Sequence, residues 1–287
     1  MTNTQHASEP QPNLVVGGTG KTGRRVADRL TARGFPVRIG SRTGEPAFDW
    51  ADEATWRPAL CGASSAYLAY LPEIGSSGAA AAVGTFARLA VDSGVRRLVL
   101  LSGRGSEHAR QAELALAGSG AEWAVVRSSW LAQNFDEGFF ADAVRSGTLA
   151  FPGGAVAEPF ISADDVADIA VAALTDDRHL GRVYEVTGPR LLSFGDAVAE
   201  ISRAAGRTVR YLSVSFDEFA ASLLRSGVPA PAVAETVEVF RAVLDGRNAA
   251  LTGDVEETLG RPATDFADYA RTAAAAGAWR ATNRRHR

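Results

Sequence analysis

Apolar positions in the first half of the chain follow two different spacings. Short unbroken runs, at Leu14-Val15-Val16, Val37 to Ile39, Ala66 to Leu71, Leu98 to Leu101 and Trp123 to Val126, have the length of buried strands. Between them the spacing becomes helical: 21–33 puts Val26, Ala27 and Leu30 on one face, and about 79–92 and 107–118 behave alike. Strands that alternate with helices predict a parallel sheet covered on both faces, an α/β fold.

Beyond Arg127 the rhythm breaks. Residues 128–160 hold Trp130, Phe135, Phe139, Phe140, Phe151 and Phe160, with a Pro-Gly-Gly turn at 152–154. A helix at about 163–174 and a strand from Val183 to Val186 follow, and 190–280 reads as largely helical with one strand-like run, Val209 to Val214. The predicted architecture is a Rossmann-type doubly wound parallel sheet with a smaller, mainly helical C-terminal lobe. Residues 1–12 form a disordered tail, 13–127 the nucleotide-binding core (completed by about 163–187), and 128–162 with 188–287 the substrate-side lobe. Trp130, Phe135, Phe139, Phe140 and Phe160 suit an apolar pocket wall.

Composition then removes whole classes of function. Thirty basic against 33 acidic residues, a net charge of −3, lack the basic excess of a nucleic-acid binder. The single cysteine, Cys61, excludes an internal disulfide, and the four histidines (His6, His108, His179, His286) are too dispersed for a metal site. The first twelve residues lack the apolar core of a signal peptide, and Gly78 to Ala87 falls short of the about 20 residues that span a bilayer. A soluble cytoplasmic monomer or homodimer is expected, without membrane or nucleic-acid partners. Lys21 is the only lysine, which takes lysine out of nearly every catalytic role.

Residues 14–23 read Leu-Val-Val-Gly-Gly-Thr-Gly-Lys-Thr-Gly. Gly20-Lys21-Thr22 imitates the end of a P-loop, but that motif needs a glycine where this chain has Val15. Gly17-x-x-Gly20-x-x-Gly23, between a strand and a helix, fits a dinucleotide loop instead. The first glycine allows the turn, the second admits a pyrophosphate, and the third lets helix and sheet approach. Thr19, Lys21 and Thr22 complete the cofactor-binding set at the helix start, where amides and dipole face the phosphates. After the second strand, Ser41-Arg42-Thr43 has no acid for ribose hydroxyls; Arg42 is placed for a 2′-phosphate, with Ser41 beside it, which predicts NADP(H).

These residues resemble a known family. Gly17 to Gly23, Phe48-Asp49-Trp50, Tyr67 to Pro72, Gly94 to Ser102, Ser119 to Trp123 leading to Arg127, Asn134-Phe135 and Asp164-Asp165-Val166-Ala167 are similar to NmrA-like atypical short-chain dehydrogenases. Gly260-Arg261-Pro262 followed by Asp265-Phe266 resembles bacterial relatives of the ergot-alkaloid pathway reductase within that group. The resemblance implies a Rossmann fold, NADP(H), and a small hydrophobic or aromatic substrate. It implies Asp49 or Trp50 near the adenine, and Tyr70, Leu71 and Pro72 near the nicotinamide half. The group includes quinone and imine reductases, benzylic ether reductases and redox-sensing regulators.

Typical members of the wider dehydrogenase family use a Tyr-x-x-x-Lys pair, but the residue four before Lys21 is Gly17. Without that pair, hydride transfer to an activated acceptor such as an iminium or quinone is favoured, since these need less proton help than a ketone. The catalytic candidates are Ser102, also counted among the cofactor contacts, His108 and Tyr70. Arg110 cannot shuttle a proton at neutral pH, and Glu113 reads as a helix-face residue that resembles a recurring glutamate of the group. The expected function is an NADP(H)-dependent oxidoreductase of secondary metabolism. An NADP-sensing regulator without turnover, or a cyclase or isomerase using the fold without redox chemistry, are the alternatives.

Overall fold

A computed structural model describes residues 11–280. The predicted tail therefore lies outside the described residues except at its end, where the Pro12 carbonyl accepts from the Ser64 amide at 3.0 Å.

Six strands form one parallel sheet: β1 (Asn13–Val16), β2 (Val37–Gly40), β3 (Ser65–Ala69), β4 (Arg97–Gly103), β5 (Glu122–Ser128) and, after a long excursion, β8 (Arg182–Val186). Their spatial order is β2-β1-β3-β4-β5-β8. The order reverses direction between β1 and β3, and ligands of open α/β sheets bind at the carboxyl ends of strands flanking such a reversal. β3 ends at Ala69 rather than Leu71, so Tyr70, Leu71 and Pro72 belong to the loop at that crevice.

Helices α1 (Lys21–Ala32) and α6 (Ala163–Thr175) cover one face of the sheet, with Val26, Leu30, Val166 and Ile169 packed on Val15, Tyr67, Val99 and Val126. Short α2 (Trp56–Leu60), α3 (Ala79–Asp92) and α4 (Glu107–Ala117) cover the other, packing Trp56, Phe86 and Leu116 on Leu14, Leu68 and Leu100. Strand residues alternate between these clusters because successive side chains point to opposite faces.

The remaining elements build the lobe: α5 (Ala141–Ser146), β6 (Thr148–Phe151), β7 (Ala157–Glu158), β9 (Leu192–Ser193), α7 (Phe194–Ala205), β10 (Arg210–Ser213), α8 (Phe216–Arg225), α9 (Ala230–Val243), α10 (Asp254–Leu259) and α11 (Phe266–Ala275). α10 is the exception, packing with α6 and β8 against the sheet. β10 pairs in parallel with β6, and β7 antiparallel with β9. The lobe has its own aromatic core, in which Phe135, Phe140, Phe151, Phe160, Phe194 and Phe266 are buried. Edge-on and tilted rings dominate, as the ring quadrupole favours.

Two motifs distant in sequence meet behind this core. Asp165, wholly buried, accepts from Arg261 Nη1 at 2.7 Å and from the Thr264 amide at 2.7 Å, and Asp168 accepts from Arg261 Nη2 at 2.6 Å. Asp265 in turn accepts from Arg190 Nε and Nη2 at 2.6 and 2.8 Å. These charge-assisted bonds fix the C-terminal segment onto the sheet's covering helix and keep the lobe in register with it.

Candidate active site

A cavity of about 480 Å³ lies at the carboxyl ends of the strands, between sheet and lobe. Its walls begin at Gly17, Thr19, Gly20, Lys21 and Thr22, pass Tyr70, Leu71, Pro72 and Ser102, and end at Trp130, Phe139, Glu158 and Phe240. The volume is that of an ordinary small-molecule site.

The glycine loop has the geometry of a phosphate cradle. Gly17 has φ +72°, and a Cβ on Gly23 would stand 2.2 Å from the Gly17 carbonyl oxygen, so only glycine lets α1 start this close to the loop. Gly20 caps α1 without a side chain, and the first turn contains no acid. Side chains of Ser106, Ser162, Ser193, Ser215 and Asp265 cap α4, α6, α7, α8 and α11, and of the helices that lack such a cap α1 is the one whose first turn, at Lys21 and Thr22, lines the cavity. The free amides of the first turn of α1 and the exposed Thr19 and Gly20 therefore suit a pyrophosphate. Gly23 itself is buried and outside the cavity walls.

Lys21 reaches across the cleft, its Nζ so near the lobe that a Cβ on Gly138 would stand 2.8 Å away. Burial lowers the Lys21 ammonium pKa, and Glu137, Glu73 and Asp136 oppose that shift. Glu73 is exposed at its edge yet crowded by the cleft, and that desolvation raises its carboxyl pKa.

Ser41, Arg42, Asp49 and Trp50 stand outside the cavity walls. Arg42 is exposed in the turn after β2. The Asp49 side chain accepts from the Ala51 amide at 3.0 Å, and Trp50 Nε1 donates to the Ala69 carbonyl at 2.9 Å. The Trp50 ring lies 5.1 Å from that of Tyr70, tying the second-strand loop to the cavity wall.

Of the three catalytic candidates, Ser102 and Tyr70 line the cavity and His108 does not. Ser102 is buried and donates to Glu113 Oε1 at 2.7 Å, so its lone pairs, not its proton, face the cleft. His108, half-buried in the first turn of α4, is absent from the cavity walls, because the helix carries it away from the strand ends. Tyr70 does line the cavity, whereas Tyr67 points into the core beneath α1, where burial drives its ionisation up.

Glu113 is a buried hub rather than a plain helix-face residue. It accepts from Arg127 Nε at 2.8 Å, from Arg127 Nη2, from Ser102, and from the exposed Arg110 at 3.2 Å. Arg127 bridges onward to Glu185. Burial alone would raise the Glu113 carboxyl pKa; the Arg127 and Ser102 bonds outweigh it and hold the group below its ordinary value. Of the predicted aromatic wall, Trp130 and Phe139 line the cavity; Phe135, Phe140 and Phe160 are lobe core, and Phe240 joins the wall from α9.

Glu158 lies in a stretch without helical or strand periodicity, so sequence pattern alone does not mark it as a site residue. It lines the cavity, has no exposed surface, and neither carboxyl oxygen has a hydrogen-bond partner among the described residues. Desolvation pushes it up to about 7, with nearby Arg104 lowering and Asp245 raising it. One signal was available: it is the lone charged residue between Arg145 and Asp164, set in an apolar stretch.

No family model matches the chain. It is 32% identical over 282 residues to (4-alkanoyl-5-oxo-2,5-dihydrofuran-3-yl)methyl phosphate reductase of Streptomyces griseus, covering 89% of this chain and 95% of that protein. The chain belongs to the NmrA-like atypical short-chain dehydrogenase/reductase family. Another NmrA-like relative is agroclavine dehydrogenase of Claviceps fusiformis, 29% identical over 274 residues, or 89% of this chain and 95% of that one. The ergot-alkaloid members among the relatives are thus fungal rather than bacterial. The triphenylmethane reductase of a Citrobacter species, solved with NADP(H), shares the fold at TM-score 0.72 and 18% identity, over 91% of this chain and 99% of that one. No helix among the described residues is long and apolar enough to cross a membrane.

Proposed function

We propose that this NmrA-like protein is an NADP(H)-dependent oxidoreductase that passes hydride to an activated small organic acceptor, an iminium or a quinone-like compound. The observation that carries this reading is one continuous cleft, leading from an uncapped glycine-loop helix to an aromatic wall, with no Tyr-Lys pair along it. The bound dinucleotide supplies the hydride; the chain's own residues bind, orient and exclude water. Gly17, Thr19, Gly20 and Thr22 hold the pyrophosphate, with Gly23 allowing α1 to approach and Lys21 adding positive charge. Arg42 and Ser41 take the 2′-phosphate, and Asp49 and Trp50 flank the adenine. Tyr70, Leu71 and Pro72 border the nicotinamide half, with Ser102 offering an acceptor oxygen to it.

Trp130, Phe139 and Phe240 suit a hydrophobic or aromatic substrate. The names of the relatives, a dihydrofuran phosphate reductase and a clavine dehydrogenase, support a place in secondary metabolism. The reading has the protein act in the cytoplasm as a monomer or homodimer. The test compares kcat/KM for a cyclic iminium, a quinone and an unactivated ketone with NADPH. The ketone should be poorer by at least a hundredfold, since hydride leaves it a localised alkoxide without the Tyr-Lys pair, a placed donor worth about 2.7–4 kcal/mol, whereas hydride neutralises an iminium and a quinone spreads the charge over its ring. Comparable ketone turnover would overturn the reading.

A further inference from the structure

Among the described residues five titratable side chains line the cavity: Lys21, Tyr70, Glu73, Arg104 and Glu158. Arg104 keeps its proton at any working pH, and it is committed to the carbonyls of Asn248 and Ala250 at 3.2 and 3.0 Å. Lys21 and Glu73 influence each other at the glycine-loop end, and Tyr70 sits against Trp50. Glu158 stands apart, held at the lobe end by β7. The neighbouring Pro159 carbonyl accepts from the hydroxyl of Ser129, just after β5, which anchors this backbone beside the strand ends.

Buried carboxyls normally have hydrogen-bond partners. Both Glu158 oxygens lack one while bordering a cavity walled by Trp130, Phe139 and Phe240. A polar group left unpaired at the edge of an apolar site is completed by what enters that site.

We propose that Glu158 is the proton donor for neutral conjugated carbonyl substrates, quinones or enones, an assignment that rests on the reductase reading above. The acceptor takes a hydride and its electron pair from the reduced nicotinamide dinucleotide and becomes a hydroquinonate or enolate. The oxygen of that anion takes the Glu158 proton as the carboxyl O–H bond breaks, and the carboxylate regains a proton from water. An iminium needs no such step, because hydride alone neutralises it. Desolvation keeps the acid protonated toward neutral pH, where a general acid works best. The charged groups facing it are Arg104, from the loop after β4, and Asp245, from the turn after α9. Glu185 and Arg247 are ion-paired to those two; β9, the strand paired with β7, contributes no charge.

The experiment measures kcat with NADPH for a methylated naphthoquinone and an N-methylated cyclic iminium, in wild type and in Glu158→Gln, across pH. The expected result is a quinone-to-iminium kcat ratio about a hundredfold lower in the variant, the lower bound for a positioned acid. In wild type the quinone kcat should fall as pH rises through about 7 while the iminium kcat does not. Difference infrared titration of wild type against the variant, without cofactor, should show a protonated carboxyl disappearing near the same pH. An unchanged ratio would overturn the proposal. So would a raised KM for the iminium alone, which would mark Glu158 as a cation-binding carboxylate. Absence of NADPH oxidation by wild type with either acceptor would instead overturn the reductase reading beneath it.

Discussion

An unpaired buried carboxyl leaves a thermodynamic signature that can be measured without any substrate. Glu158 shifts from an ordinary value of 4.5 to about 7 in the folded protein, mainly through desolvation. For an acid with a raised folded pKa, the unfolded chain loses its proton first. Stability therefore falls as pH rises from the unfolded value to the folded one, and stays reduced above it. With each pKa unit worth about 1.4 kcal/mol, full ionisation costs the fold about 3 kcal/mol. Glu158→Gln keeps the shape and removes the titration. Urea denaturation of both proteins should give nearly equal stabilities at about pH 4. The variant should lead by about 3 kcal/mol at about pH 8, with the gap opening between those limits. Parallel stability profiles, or a wild type more stable at the alkaline end, would mean that the carboxyl is paired in solution and not desolvated alone.

Other substitutions probe the rest of the cleft. Gly23→Ala places a Cβ 2.2 Å from the Gly17 oxygen; overpacking of this kind costs about 1–3 kcal/mol, and calorimetry should show NADPH affinity lowered at least tenfold. Arg42→Ala should weaken NADPH by about 1.5–3 kcal/mol, the scale of a charged hydrogen bond, and leave NADH nearly unchanged; equal losses for both cofactors would remove Arg42 from the 2′-phosphate site. Glu113→Gln leaves Glu185 as the one carboxylate paired with Arg127 and should cost about 2–3 kcal/mol in a denaturant titration. The stability Glu113 contributes is present above its ordinary pKa of 4.5 and is lost as pH falls through its lowered folded value, so acid should narrow the gap to the variant.

The residues show what a sequence discloses and what it conceals. Long periodic segments disclosed themselves: α3 runs over Ala79–Asp92, the span its apolar spacing predicts. Two-residue strands such as β7 and β9 carry no period, and they are what position Glu158. The glycine loop, the turn after β3 and Ser102 each had local signals, and the parallel sheet brings them to one edge because its strands share a direction. Glu113 and Arg127 lie 14 positions apart and Asp165 and Arg261 96 apart, so their pairing follows from topology alone. His108 was attractive for its chemistry and its closeness in sequence to Ser102. The turn into α4 takes it out of the cavity walls, a separation that depends on helix direction rather than residue type.

Hydride transfer itself is the central claim, and isotopic labelling tests it most directly. NADPH carrying deuterium at both nicotinamide C4 positions would be incubated with the purified protein and an N-methylated cyclic iminium, and the amine product analysed by mass spectrometry. One deuterium is expected on the former iminium carbon for each NADPH consumed. Tight NADPH binding with neither consumption nor label in the product would contradict it, and would favour a cofactor-sensing protein over an enzyme.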